Sequence, residues 1–168
     1  KFDLLWCHNS FQYALDPLAT LAHWTTIAED GAMLIIIVPQ TMNVGLRSFE
    51  VEQPTGVYHH YSIVNLMHML AVSGWECRDG FFLKQKNDPW IHVIAYKGTH
   101  GPLDPRTTTW YNLAEKNILP ETVQTFIEDF CLDQHFLWKF LRDSAHYDKS
   151  DYPSFGHMAI DEFHHVSS

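Results

Sequence analysis

Two short, unbroken apolar runs constrain this chain more than any other feature of it. Residues 4–7 read Leu-Leu-Trp-Cys, and residues 32–38 read Ala-Met-Leu-Ile-Ile-Ile-Val. Neither alternates with polar residues, which suits strands buried on both faces, as in a parallel sheet. Between them, Asp16-Pro17 offers an N-cap followed by proline at the first helical position. Leu18, Leu21, Ala22, Thr25 and Ala28 recur on one face at helical spacing. Glu29-Asp30-Gly31 then predicts the helix end, with Gly31 as C-cap. Strand, loop, helix, turn and strand make a βαβ unit. His8, Asn9 and Ser10 stand at the carboxyl end of its first strand, where α/β proteins keep their chemistry.

The rest of the chain extends that unit. Residues 40–58 hold Gly45, Pro54 and Gly56 without a period, which predicts a long loop. Ser62 caps a second helix, with Ile63, Leu66, Met67, Leu70 and Ala71 at three- and four-residue steps and Ser73-Gly74 closing it. Residues 75–84 and 90–97 read as strands joined by a hairpin turn at 85–89. Residues 98–109, rich in Gly, Pro, Thr and Asp, read as a linker. Beyond it, Pro120-Glu121 starts a helix whose apolar face runs from Val123 through Phe126, Phe130 and Trp138 to Leu141. A short final helix is expected over 158–165. Alternating strands and helices argue an α/β sheet with antiparallel edge strands and a helical C-terminal extension. The expected division is an α/β part over residues 1–98 and a linker with a mainly helical extension over 99–168.

Charge and cysteine usage narrow the function. The net charge of −9 argues against generic attraction to nucleic acid or to an anionic membrane surface. The longest strictly apolar run is seven residues, against about 20 needed to span a bilayer. Cys7, Cys77 and Cys131 are odd in number and far apart, with no zinc spacing. With no signal-peptide pattern at the start, a reducing, cytoplasmic setting is expected. The chain enters its first strand directly after Lys1, which suggests a piece of a larger protein.

Three stretches, in order and at matching spacing, resemble the second half of a class I S-adenosylmethionine-dependent methyltransferase domain. The first is Phe2-Asp3-Leu4-Leu5-Trp6-Cys7 with Ser10-Phe11-Gln12-Tyr13 and Leu15-Asp16-Pro17. It is similar to the family's fourth strand and the start of the following helix. The second, Ala28-Glu29-Asp30-Gly31 running into Val38-Pro39, is similar to the Gly-containing turn and fifth strand. The third is His59-His60-Tyr61-Ser62 with Leu66, Leu70 and Gly74-Trp75. Gln12-Tyr13 stand where many members have Glu-His, and no GxGxG occurs anywhere in the 168 residues. The cofactor's Gly-rich loop and its ribose-binding acid therefore belong to the half of the family domain that has no counterpart here.

The resemblance implies a Rossmann-like methyltransferase sheet of order 3-2-1-4-5-7-6, of which this chain supplies strands 4, 5, 7 and 6. The strand from Phe2 to Cys7 would then be an apolar edge, which is an aggregation template unless covered. The expected cover is the missing N-terminal half, another chain or a second copy. The implied activity is methyl transfer from S-adenosylmethionine to a small-molecule or sugar-like acceptor, with this chain alone incomplete and inactive. Cys7, His8, Asn9 and Ser10 would line the cofactor, and His8 and His60 would be the catalytic bases, with His59 beside them. The alternatives stand too: Asn9 and Ser10 shaping a loop, His8 a satisfied polar residue, His59-His60 entering a helix, and Arg47 facing solvent. No metal site is expected, because the tail residues His146, His157, His164 and His165 and the acids among them match no tight ligand pattern. The rival reading is a catalytically inactive methyltransferase-like structural or interaction module. A nucleotide-sugar transferase is disfavoured by the closing hairpin.

Overall fold

A computed structural model describes residues 1–39, 59, 61–84, 90–121 and 123–124. Four strands form one sheet: β1 (Phe2–His8), β2 (Ala28–Pro39), β3 (Trp75–Lys84) and β4 (Trp90–Lys97). Its order is β1-β2-β4-β3. β1 and β2 pair in parallel, while β4 runs antiparallel to both β2 and β3. The last strand thus inserts between β2 and β3 instead of extending the sheet outward.

The first connection is α1 (Pro17–Ile27), which begins where the sequence indicates: Asp16 accepts a hydrogen bond from the Ala19 N–H, and Pro17 follows. It ends earlier than the sequence indicates. Ala28 is already extended, and residues 28–31, read above as helix end and turn, belong to β2. Gly31 is not a C-cap, although its φ of +75° does need glycine. It sits in a bulge of β2, where the register moves from Phe2↔Ala28 to Leu4↔Met33. Lys97 of β4 holds the bulge. Its Nζ donates to the Ala28 carbonyl at 3.0 Å and to Asp30 at 2.9 Å. That hydrogen bond and the ammonium charge hold the exposed Asp30 carboxyl below its usual range.

The second helix, α2 (Ile63–Val72), starts in a capping box in which Ser62 and Asn65 satisfy each other's backbone N–H groups. Two helices cover one face of the sheet. Leu21 of α1 and Ile63, Leu66, Met67 and Leu70 of α2 pack on Cys7, Leu34, Ile36, Val38, Trp75, Ile91, Val93 and Ala95. The Trp75 indole N–H reaches the Leu21 carbonyl at 3.2 Å and ties α1 to β3. α3 (Trp110–Glu115) and the residues after it follow the outer edge of β3. The Cys77 N–H donates to the Ile118 carbonyl at 3.0 Å, and Trp110, Leu113, Ile118, Leu119 and Val123 join the same core.

Among the described residues, no helix covers the other face. The register aligns Leu4, Trp6 and His8 of β1 with Met33, Ile35 and Ile37, then with Tyr96, Ile94 and His92, then with Phe81 and Leu83. Trp6 is 69% exposed and Leu4 46%. The expectation that the first strand is buried on both faces is therefore not met within these residues. Only Cys7 of β1 is buried. The reason is local: unbroken apolarity specifies two dry faces, but α1 and α2 both lie on the same side. The expected turn at 85–89, the 40–58 loop, most of the expected tail helix and the final helix lie outside the described residues.

Candidate functional site

β1 ends in a turn built almost entirely from its own side chains. Asn9 takes a left-handed conformation, with φ of 49°, which asparagine tolerates better than most residues. Its N–H donates to the Ile37 carbonyl at 2.8 Å and extends the parallel ladder past the strand. Gln12 Nε2 donates to Asn9 Oδ1. Cys7 Sγ and Ser10 Oγ share a hydrogen bond of 3.1 Å, and residues Phe11–Tyr13 form one 3-10 turn.

Strand alternation separates the residues expected here. Cys7 points into the helix-covered core, whereas His8 lies on the open face. The His8 ring rests 5.8 Å from that of Trp90, tilted by 48°. The imidazole is thus exposed beside an indole at the carboxyl edge of the sheet. Asn9 and Ser10 are exposed at the turn itself.

Behind the turn lies a buried junction. Gln12 is only 2% exposed, and its Oε1 has no hydrogen-bond partner among the described residues. The His59 N–H donates to the Gln12 carbonyl at 3.1 Å, and His59 Nε2 is likewise buried without a partner. Buried polar atoms are nearly always satisfied, and an orphaned one costs about 1–3 kcal/mol. Each of these two atoms suits a water or a polar group of a ligand. Beside them Tyr61 donates to the Phe11 carbonyl at 3.3 Å and stacks on the Phe11 ring at 5.2 Å. Burial, helped by the nearby Cys7, pushes the Tyr61 phenol well above its usual value, so it serves as a donor and not as a base.

No family model matches the sequence, and no curated protein matches it. A solved structure does resemble it. That structure is a complex between the Haloferax volcanii Trm112 methyltransferase activator and a candidate methyltransferase, matched at 14% identity and a TM-score of 0.49. The match covers 58% of this chain and 55% of the other.

Of the expected site residues, the fold gathers Cys7, His8, Asn9 and Ser10 at one strand end and brings His59 behind them. His60 and Arg47 lie outside the described residues, as do the histidines and acids of the tail. Among the described residues, no group of three or more His, Cys, Asp or Glu is placed to hold a metal ion. No helix of the described residues is long and apolar enough to cross a membrane. Sequence reasoning missed Gln12 as a contributor, together with Tyr61 and Trp90. Gln12 carried a signal: a long polar side chain between Phe11 and Tyr13, directly after the strand.

Proposed function

We propose that this chain is the carboxyl-terminal part of an S-adenosylmethionine-dependent methyltransferase domain that acts on a small-molecule or sugar-like acceptor. One observation carries the reading: the order β1-β2-β4-β3, with β4 inserted antiparallel beside a parallel pair. That order is what the strand 4, 5, 7 and 6 portion of such a sheet requires. Residues 1–98 would be the second half of the domain and 99–168 its extension. Support also comes from the exposed Leu4 and Trp6 and from the edge of β1 that is unpaired among the described residues, which the missing half or another chain would cover.

A buried amide oxygen without a donor, Gln12 Oε1, suits an ammonium or hydroxyl group, which is what the methionine part and ribose of such a cofactor present. When bound, S-adenosylmethionine supplies an electrophilic methyl group. The residues here would act on the acceptor and on water. His8 would take the proton of the attacking hydroxyl or amine at a ring nitrogen, with Trp90 fixing the ring's position. Asn9 and Ser10 would shape the wall, with Gln12 locking the Asn9 side chain. His60 is the second candidate base by sequence.

Calorimetry of the longer protein with S-adenosylmethionine tests the reading. Saturable heat is expected, and none at high cofactor concentration would sink it. His8→Ala should lower the transfer rate far more than it weakens cofactor binding. Equal losses would make His8 structural. The exposed stripe of β1 equally favours the second reading, an inactive methyltransferase-like interaction module. Cofactor binding decides between the two.

A further inference from the structure

A cleft that shares no residue with the β1 turn lies between α2 and the segment leading into α3. Its volume is about 380 Å3, within the range of small-molecule sites. Val64 and Met69 of α2 and Trp110 of α3 give it apolar walls. The other side is polar, with Arg106, Thr107 and Thr108 in succession.

The polar side carries unused donors. The Arg106 backbone N–H is taken up by Asp104 Oδ1 at 2.9 Å, but its guanidinium pairs with no carboxylate among the described residues. Thr107 and Thr108 bond through their backbone N–H groups to the Asp104 carbonyl, and their hydroxyls have no partner among the described residues. The neighbouring Thr109 and Asn65 differ: the Thr109 hydroxyl and Asn65 Oδ1 are engaged in the two helix capping boxes. His68 is also committed. Its Nε2 lies 3.2 Å from the Thr108 carbonyl, which can only accept, so that nitrogen carries the proton. The ring meets Trp110 edge-on at 5.3 Å. The His68 contact thus fixes the Thr108 backbone and the indole together.

Arg106, Thr107 and Thr108 line one side of the cleft with a guanidinium and two hydroxyls that have no partner among the described residues, in a chain of net charge −9, and this is a donor set for a tetrahedral oxyanion. The adjoining apolar wall is too large for the anion alone to fill. We propose that this cleft binds a small phosphomonoester, its phosphate on Arg106, Thr107 and Thr108 and its organic part against Val64, Met69 and Trp110.

Phenyl phosphate serves as probe, followed by the NMR signals of the Trp110 indole and the His68 ring, with inorganic phosphate and phenol as half-ligands. Saturable shifts at both residues are expected with phenyl phosphate, and weaker binding with either half. Arg106→Gln, at an exposed position, should weaken phenyl phosphate by about tenfold or more while leaving phenol unchanged, as loss of a charge-assisted pair requires. Thr108→Val should weaken it less. Non-saturating shifts with phenyl phosphate, phenol binding as tightly as the ester, or an Arg106→Gln affinity equal to the parent's would each overturn the proposal. None of these readouts depends on methyl transfer.

Discussion

At the scale of single residues, the clearest dependence on solution conditions sits at His68. Burial pushes its imidazole below the usual 6.5, while the Thr108 carbonyl works against that shift. A histidine depressed in the folded state takes up its proton more readily when unfolded. Its contribution is therefore complete above the unfolded value and is lost as pH falls toward the folded one. Urea midpoints at about pH 7.5 and about pH 5.5, on either side of the ordinary histidine value, should fall on acidification. In His68→Gln the fall should be smaller, and an unchanged slope would discard this assignment. Two glycines give a second residue-level contrast. Gly31 and Gly74 both have positive φ, at 75° and 95°. A Cβ on Gly31 meets nothing within 4 Å, but on Gly74 it stands 3.4 Å from the His100 carbonyl and from the Thr25 methyl. Gly31→Ala should cost roughly 1–2 kcal/mol from the left-handed backbone alone. Gly74→Ala should cost more, because its φ of 95° lies further from the left-handed minimum at about +57° and its Cβ has close neighbours that hold the backbone in place. Chemical denaturation of the two variants ranks them, and the reverse order would contradict this ranking.

At the scale of elements, what was legible in the sequence was whatever neighbouring residues decide. Asp16-Pro17 and Ser62 start their helices because the partners of each cap lie three residues away. Ser62→Ala should therefore cost about 1 kcal/mol, with the loss confined to α2 by hydrogen exchange at its first turn. Protection lost evenly through the domain would show that the box does not act locally. The α1–β2 boundary was not legible, because its cause lies elsewhere. Glu29-Asp30-Gly31 carries every local mark of a helix end, yet Lys97, 69 residues beyond Ala28, binds the bulge into the strand. The buried junction behind the β1 turn escaped for the same reason: His59 meets Gln12, 47 positions before it. The placement of His8 to Ser10 at the strand end, by contrast, followed from position along the chain.

At the scale of the whole molecule, the described residues give the sheet one dry face and one that is partly exposed. On the first, Leu34, Ile36, Val93 and Ala95 are fully dry under α1 and α2. On the other, Phe2, Leu4 and Trp6 line a strand that among the described residues pairs with β2 alone, and Phe81 closes the far side at 38% exposure. Contiguous apolar surface beside free strand edges drives association. Sequence apolarity announced that both faces should be dry, but not that both crossover helices would choose the same side. The 168-residue chain by itself should therefore self-associate as its concentration rises. Leu4→Lys with Trp6→Lys should return it toward monomer in sedimentation velocity. Both positions are already solvated, so stability should change by only about 0.5 kcal/mol. In the longer protein the same pair of substitutions should do the opposite and loosen the domain, because lysines would then face whatever covers β1. A chain that stays monomeric without the substitutions, together with a longer protein indifferent to them, would mean that the open face has no cover to lose.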